Sequence, residues 1–351
     1  MDRFIRSVPR EVLSAVPVLP PPARPSVALL GAGVALVLLT GCTGTGATAA
    51  PAVPPVAVRE PVTTPAEADA LFAGLTSARN TANAGRDAAA LSLLETGPSL
   101  RSSSFAYAAQ TAQGAAPVAP YTSTAGTLAA PERGTADWFY SLGAPGDTTV
   151  GATTGAYVES TFFTRAGEGA PWLLTYRLAT DPAVALPQPA LVGGSAVVPD
   201  DDARARGDLA LQDVVAYAST GQPAPTLDVT DADQLATAHT QGFPLPDLTP
   251  DAGTEQRVCT LEEPAPAWTS SARGIFTMAS VECTQSVALT GGWTAPTPTT
   301  GTIGTVPVGV RLSGWTVSQS VTVLVEVHDD GTSRVVGSGL RPVRTDVTPA
   351  P

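Results

Sequence analysis

An apolar run near the start of the chain limits what the first 41 residues can contribute to a fold. The run extends from Val27 to Leu39, contains no charged residue and is preceded by four arginines and two acidic residues. A helix of this length is shorter than the ~20 residues that crossing a bilayer requires. A basic start followed by a short apolar core is typical of a secretory signal. Residues 1–41 are therefore predicted to be a signal peptide and are excluded from the fold prediction.

The run is followed by a sequence that resembles the lipobox of bacterial lipoproteins, Leu39-Thr40-Gly41-Cys42. The resemblance implies cleavage before Cys42 by the lipoprotein-processing enzymes and diacylation of the Cys42 thiol. We then expect the mature chain at the cell membrane, lipid-anchored on the extracytoplasmic face. An ordinary secreted protein and an uncleaved anchor are the alternatives.

The charge of the mature chain argues against one class of partner. All 19 basic residues are arginine, and the whole chain carries a formal charge of −12. Removing residues 1–41 removes four arginines and two acids, which leaves a charge of −14. A chain this acidic does not bind nucleic acid or an anionic lipid surface through a basic patch. We expect no nucleic-acid partner, and we expect the lipid to hold the chain at the membrane.

Two cysteines remain once Cys42 is lipidated, and they are Cys259 and Cys283. An even pair in an oxidising compartment predicts one structural disulfide. A tetrahedral metal site needs four ligands, and these two cysteines have no histidine nearby in the sequence. A redox-active pair more often has C-x-x-C spacing. We predict no metal ligand and no cofactor.

The segment after Cys42 has the composition of a tether. Residues 43–64 contain small residues and four prolines without an amphipathic period. A proline-rich segment is semi-extended and reaches at most about 3.1 Å per residue. Residues 42–64 are therefore predicted to be a lipidated cysteine with a flexible tether.

The first folded half, predicted over residues 65–187, begins with helix signals. Thr64-Pro65-Ala66-Glu67 is a capping box with proline at the first helical position. A short second helix is predicted within 86–98, stopped by Gly97-Pro98, and a third over 99–110. Residues 156–165 and 172–178 then change to a period of two, which predicts a hairpin. The side chains expected on one face of its second strand are Trp172, Leu174, Tyr176 and Leu178, with Thr175 and Arg177 opposite.

Helices with a glycine-acid break, "AGRDAAALSLL", followed by a sheet resemble the cystatin-like cone of the nuclear transport factor-like superfamily over about residues 65–180. Some members are isomerases, cyclases or dehydratases that work with Asp and His inside the cone, and many others bind ligands or assemble. This segment contains no histidine, so that acid/base pair has no counterpart. Asp69 and Asp87 are predicted at helix starts or exposed turns. The possible pocket aromatics, which core packing would equally explain, are Trp138, Tyr140, Tyr157, Trp172 and Tyr176.

The second half, predicted over residues 188–351, repeats the order of helix and then sheet. A helix is predicted over 201–220, with an apolar stripe of Leu211, Val214, Val215 and Ala218. Strands are predicted within 274–289, 306–312, 315–327 and 332–340, with a turn at Asp329-Asp330-Gly331. The fold class is therefore predicted as α+β, with two helix-plus-antiparallel-sheet halves that resemble cystatin-like cones. This architecture resembles uncharacterised lipoproteins of high-GC Gram-positive bacteria.

The two histidines do not predict a catalytic site. His239 ends a short polar helix, and His328 falls on the polar face of strand 320–328, where we expect it to be solvated. The sequence has no G-x-S-x-G, H-E-x-x-H or P-loop motif. Asp228, Asp231 and Asp233 lack the glycine and glutamate of a calcium loop. We therefore predict no catalytic residue.

These observations favour a membrane-anchored extracytoplasmic lipoprotein with a non-catalytic binding or assembly role. Its partner would be an unknown protein or a small ligand. A small cone-type enzyme or hydrolase is one alternative. A solute-binding lipoprotein of a transporter is another, although such proteins usually alternate strands and helices.

Overall fold

The computed structural model describes residues 60–112, 114–118, 120–146, 157–232, 234–236, 253–263, 267–294, 299–301, 304–306 and 309–350. These residues belong to one compact unit, Val56–Pro351. The predicted signal peptide, Cys42 and the tether up to residue 59 lie outside the described residues. None of the described helices combines the length and the apolar composition needed to cross a bilayer.

Three helices open the described chain: α1 (Pro65–Gly85), α2 (Ala88–Leu91) and α3 (Gly97–Ala112). The capping box is confirmed, because Thr64 Oγ1 accepts from the Glu67 N–H and the Glu67 carboxylate accepts from the Thr64 N–H. Asp87 caps α2 by accepting from two backbone N–H groups. Gly97 and Pro98, predicted to stop a helix, begin α3 instead, since proline is tolerated in a first helical turn.

The first sheet contains β1 (Thr127–Ala129), β2 (Trp138–Gly146), β3 (Tyr157–Thr164) and β4 (Leu173–Thr180). Its order is β1-β2-β3-β4 and every pairing is antiparallel, which confirms the predicted hairpin.

A bulge in β4 corrects the predicted faces of this hairpin. Phe162 pairs with Tyr176 while the next residue, Phe163, pairs with Leu174, so Thr175 is the extra residue. An extra residue shifts the alternation of side chains by one. Leu174 and Tyr176 therefore lie in different core clusters, and the prediction that they share a face is wrong.

A short hairpin, β5 (Leu191–Val192) with β6 (Ser195–Ala196), leads to α4 (Asp201–Thr220). Asp200 caps α4 through its carboxylate, which accepts from the Ala203 N–H at 2.8 Å. The predicted apolar stripe is buried at three positions and partly buried at the fourth, Val215.

The rest of the described chain adds eight strands, most of which form a second sheet. The strands are β7 (Leu227–Asp228), β8 (Gly253–Leu261), β9 (Thr269–Ser271), β10 (Gly274–Thr294), β11 (Thr299–Gly301), β12 (Gly304–Val306), β13 (Arg311–His328) and β14 (Ser333–Pro349). The second sheet has the order β7-β14-β13-β10-β8, with β9 paired to β10. It is antiparallel except for a two-residue parallel pairing of β7 with β14. A separate small hairpin joins β11 to β12.

The predicted disulfide is confirmed. Cys259 on β8 and Cys283 on β10 are directly opposite each other, with Cα atoms 4.1 Å apart and sulfurs bonded. Both residues are buried beneath α4, in the cluster that this helix forms with the second sheet.

The described elements stack in four layers: α1, the first sheet, the second sheet and α4. Phe72 and Leu75 of α1 pack on one face of the first sheet, and Leu211 and Val214 of α4 pack on the outer face of the second. The inner faces of both sheets share a core. Its buried side chains are Trp138, Tyr140, Leu142, Phe162, Tyr176, Leu178, Phe276, Met278, Leu324 and Val336.

The α+β class and the helix-then-sheet order of each half are confirmed. The domain boundary at residues 187 and 188 and the cone geometry stay predictions.

Two glycines allow the layers to approach closely. A Cβ on Gly337 would lie 2.5 Å from Cγ2 of Thr180, and a Cβ on Gly207 would lie 2.5 Å from the Trp268 ring.

Candidate functional site

A polar cleft of about 60 Å³ lies where α1 and α3 meet β4 of the first sheet and β13 and β14 of the second. Helix α3 packs against β4 of the first sheet and β14 of the second, so the cleft forms only when both halves are folded together. The residues that line it are Arg79, Pro98, Ser99, Ser102, Ser103, Arg177, Ser320, Thr322 and Arg341.

Arg79 projects from the buried face of α1 and holds its charge by pairing. Its Nε lies 2.6 Å from Oε1 of Glu95, and its Nη1 donates to the Tyr121 hydroxyl at 2.6 Å. Burial alone would lower the pKa of this guanidinium. Glu95, Tyr121 and Glu159 outweigh burial and raise the pKa above its ordinary value. The Arg79 charge is therefore permanent and largely satisfied inside the protein.

Arg177 lies on β4 and forms an ion pair with Glu159 of β3. Its guanidinium lies over the Tyr121 ring, 5.0 Å from the ring centre, while Arg79 lies 5.7 Å from it. Asn80 holds the backbone of Tyr121 by donating to its carbonyl at 2.8 Å and accepting from its N–H at 3.2 Å. Tyr121 thus positions both arginines, because the face of an aromatic ring attracts a cation.

Arg341 on β14 is the third arginine, and it differs from the other two. No described residue forms a hydrogen bond or an ion pair with its guanidinium, and the residue is exposed. Although part of the residue is open to solvent, protein atoms packed around its guanidinium displace water, and this desolvation lowers the pKa of Arg341 most. Repulsion by Arg177 and Arg79 lowers the pKa further, and attraction by Glu95 and Glu159 opposes the shift. Positive charge at Arg341 is therefore held against the repulsion of its neighbours, and an anion placed among them would relieve it.

The hydroxyl groups of the cleft are of two kinds. Ser99 Oγ donates to Glu95 at 3.1 Å, and Ser102 and Ser320 also have hydrogen-bond partners. Ser103 and Thr322 form no side-chain hydrogen bond with any described residue, and both are partly exposed. Two hydroxyls and one guanidinium are thus available to a ligand.

The cleft can bind an anion, but none of the described residues that line it is suited to transferring a proton. The three arginines of the cleft, together with the two glutamates that pair with Arg79 and Arg177 behind its lining, carry a net charge of one positive unit. Arginine does not deprotonate in proteins, and Glu95 and Glu159 are both paired with arginines. General acid–base catalysis needs a group that titrates near the working pH. The described residues that line the cleft include no histidine, cysteine or carboxylate.

Four of the five possible pocket aromatics pack in the core, which is the alternative that the sequence left open. Trp138, Tyr140 and Tyr176 are buried between the two sheets, where Tyr140 donates to the Ala267 carbonyl at 2.5 Å. Trp172 packs on the opposite face of the first sheet, with its ring edge-on to Phe139. The side chain of Tyr157 lies outside the described part of the structure.

His328 is placed differently from the solvated position predicted for it. Its side chain is 26% exposed and lies within reach of Glu326 and Thr332. Nε2 lies 3.5 Å from Oε2 of the fully buried Glu326, and Nδ1 lies 3.2 Å from Oγ1 of Thr332. A surface cavity of about 330 Å³ adjoins this group. Its lining residues are Pro225, Thr226, Leu227, Asp228, His328, Thr332, Ser333 and Arg334.

The order of Thr332, His328 and Glu326 resembles that of a catalytic triad, but the hydrogen bonds differ. Thr332 donates its single hydroxyl proton to Asp330 at 2.7 Å, so His328 can only donate to that oxygen. Glu326 already accepts from Arg273 and Arg334, each at 2.9 Å. A base must accept the proton of its nucleophile. This cluster therefore stabilises the β13–β14 turn in the arrangement described.

The remaining predicted positions divide into two groups. His239 and Asp233 lie outside the described residues, as does Cys42. Asp228 accepts from the backbone and hydroxyl of Thr230, which lowers the pKa of this carboxyl. Within the described parts of the chain, no group of three or more His, Cys, Asp or Glu side chains is arranged to hold a metal ion.

The sequence analysis did not predict the buried carboxylates. Each is paired with an arginine that is distant in the sequence or on a neighbouring strand. The sequence contained one signal for these buried pairs, since all of its basic residues are arginine. Arginine is the cation best suited to buried ion pairs. Among the described residues, the buried glutamates are Glu95, Glu159, Glu262 and Glu326.

Residues 59–243 match a family described as a domain of unknown function, DUF8094. The match spans just over half of the chain. The chain belongs to the DUF8094 family. No curated protein and no solved structure matches it.

The DUF8094 match covers only part of the cleft. Arg79, the serines of α3 and Arg177 lie inside it, while Ser320, Thr322 and Arg341 lie on strands beyond it. The complete cleft therefore requires both the DUF8094 segment and the second sheet.

Proposed function

We propose that this protein is a membrane-anchored extracytoplasmic lipoprotein that binds a ligand or partner without chemical turnover. The observation that carries the binding role is the cleft around Arg341. It carries a net charge of one positive unit in a chain with 19 basic and 31 acidic residues, and the described residues that line it include no histidine, cysteine or carboxylate for acid–base catalysis.

The address rests on other observations. The lipobox-like sequence before Cys42 follows a basic, apolar leader, and the Cys259–Cys283 disulfide fits an oxidising compartment. Fractionation of cells tests this part. Cys42→Ser should release the protein from the membrane fraction or leave an uncleaved precursor. A variant that fractionates and migrates like the wild type would exclude the lipid anchor.

A solute-binding role in transport has weaker support. Such proteins are typically built from βαβ units with parallel sheets. The two large sheets described for this chain are antiparallel apart from the β7–β14 pairing. A hydrolase site built from the described residues would have to use the cluster around His328, where the Thr332 hydroxyl donates its proton to Asp330.

The binding role is tested by thermal unfolding of the full lipidated chain in detergent with panels of anionic, neutral and cationic solutes. At least one anion should raise the melting temperature saturably, because a ligand that binds only the native state stabilises it. Arg341→Gln should remove this effect. Arg344→Gln is the matched control, since Arg344 lies three residues along the same strand and pairs with Asp346 outside the cleft. Equal responses to every salt in all three proteins would exclude the binding role.

A further inference from the structure

We propose that the cleft binds the carboxylate group of a small, singly charged organic acid, with Arg341 as the anchoring cation. This inference rests on the proposed binding function and names the chemistry of its ligand. It is argued from the charge, the size and the available donors of the cleft.

The charge of the cleft matches one negative unit. Arg79 is paired with Glu95 and Arg177 with Glu159, which leaves Arg341 as the uncompensated cation. A monoanion neutralises the group. A dianion such as hydrogen phosphate would leave an excess negative charge close to both glutamates, in a chain whose overall formal charge is −12. Like charges at short range in a partly desolvated site repel strongly.

The size of the cleft suits a small head group. Its volume is about 60 Å³, and roughly 10–15 Å³ is enough for one water molecule. A flat head group with two oxygens fits this space, and the remainder of the ligand would extend through the open side. The lining is mainly polar, so it suits a charged head group better than an apolar chain.

The donors are arranged for two oxygens. A guanidinium presents two parallel N–H groups that match the two oxygens of a carboxylate. The hydroxyls of Ser103 and Thr322, which have no hydrogen-bond partner among the described residues, line the cleft from two different elements, α3 and β13. Each can donate one further hydrogen bond. Arg79 and Arg177 are held by Tyr121 and their glutamates and supply the surrounding positive potential.

The experiment measures the melting temperature of the full chain against sodium acetate, sodium phosphate and sodium chloride at constant ionic strength and at pH 8, where phosphate is mainly the dianion. Acetate should give a saturable rise of a few degrees, and phosphate and chloride should not. Arg341→Lys keeps the charge but loses the two parallel N–H donors of the guanidinium. The apparent Kd for acetate should therefore increase by at least about tenfold. Arg344→Lys is the control and should bind acetate like the wild type.

Each outcome has one interpretation. Saturable stabilisation by acetate that is weakened in Arg341→Lys and kept in Arg344→Lys supports the carboxylate site. Saturable stabilisation by phosphate alone overturns the carboxylate inference but keeps the anion-binding function. An acetate effect that is unchanged in Arg341→Lys also overturns the inference, because the anion then binds without the paired N–H donors of Arg341. If no anion gives a saturable effect, both proposals fail.

Discussion

Arg79 and Glu95 form an ion pair whose Nε and Oε1 atoms are 2.6 Å apart, with both side chains almost inaccessible to solvent. The pair joins the middle of α1 to the segment just before α3. Arg344 and Asp346 form a pair of the same length at the surface, where 72% and 53% of their side chains are exposed. The two pairs share geometry and differ in burial, so they allow a matched comparison.

Glu95→Ala should destabilise the fold by about 3–5 kcal/mol, because it leaves the buried charge of Arg79 without its partner. Asp346→Ala should cost less than about 1 kcal/mol, since exposed pairs are weak. Urea unfolding of both variants measures the difference. The double variant Arg79→Met/Glu95→Leu should recover much of the loss, because neither charge is then buried. Equal costs for Glu95→Ala and Asp346→Ala would contradict the role given to burial.

Gly207→Ala should destabilise the contact between α4 and the second sheet by roughly 1–3 kcal/mol. A Cβ at this position would lie 2.5 Å from Trp268, whose indole is fixed by donating to Asp208 at 2.9 Å. Gly74→Ala in α1 is the control, since a Cβ there meets nothing within 4 Å. It should stabilise the protein by about 0.5–1 kcal/mol through helix propensity. Opposite signs in the unfolding free energies are the expected result, and equal signs would reject the close contact.

Replacing both Cys259 and Cys283 with alanine should lower the free energy of unfolding by roughly 3 kcal/mol, as expected for a closed loop of this size. The residues are 24 positions apart and lie opposite each other on β8 and β10. The backbone pairing of these strands does not depend on the sulfurs, so the variant should keep its secondary structure by circular dichroism. An unchanged unfolding midpoint would show that the bond is not structural.

The parts of the fold that could be predicted are those fixed by neighbouring residues. The Thr64–Glu67 capping box, the α4 stripe and the turn at Asp329-Asp330-Gly331 each depend on a few adjacent side chains. The disulfide followed from counting cysteines after Cys42 was assigned to lipid. Each of these signals is local, or it depends on a residue type so scarce that few pairings are possible.

The candidate cleft could not be predicted because its residues meet only through the packing of layers. Arg79, Arg177 and Arg341 are separated by more than 90 residues at each step, and no local pattern links them. The polar alternation of β13 predicted a solvated face, but another sheet covers that face and buries Glu326. The bulge at Thr175 likewise changed which side chains point inward. A period of two indicates alternation, and it does not show what lies on either side.

The hydroxyl of Tyr140 provides a test of the core between the two sheets. It is fully buried, donates to the Ala267 carbonyl at 2.5 Å and accepts from the Met278 N–H at 3.3 Å. Burial raises the pKa of Tyr140 well above its ordinary value, while its hydrogen bonds with Thr277 and Met278 act weakly in the other direction.

Stability should therefore fall as the pH rises above about 10, because the tyrosine loses its proton in the unfolded chain while the native chain keeps it. For one tyrosine the loss approaches about 1.4 kcal/mol per pH unit between the unfolded and the folded pKa. Tyr140→Phe cannot ionise, so its stability should fall less steeply than that of the wild type between pH 10 and pH 11. Urea unfolding of both proteins across this range measures the two slopes. Equal slopes would mean that the Tyr140 hydroxyl ionises as readily in the folded protein as in water, and that the two sheets do not enclose it.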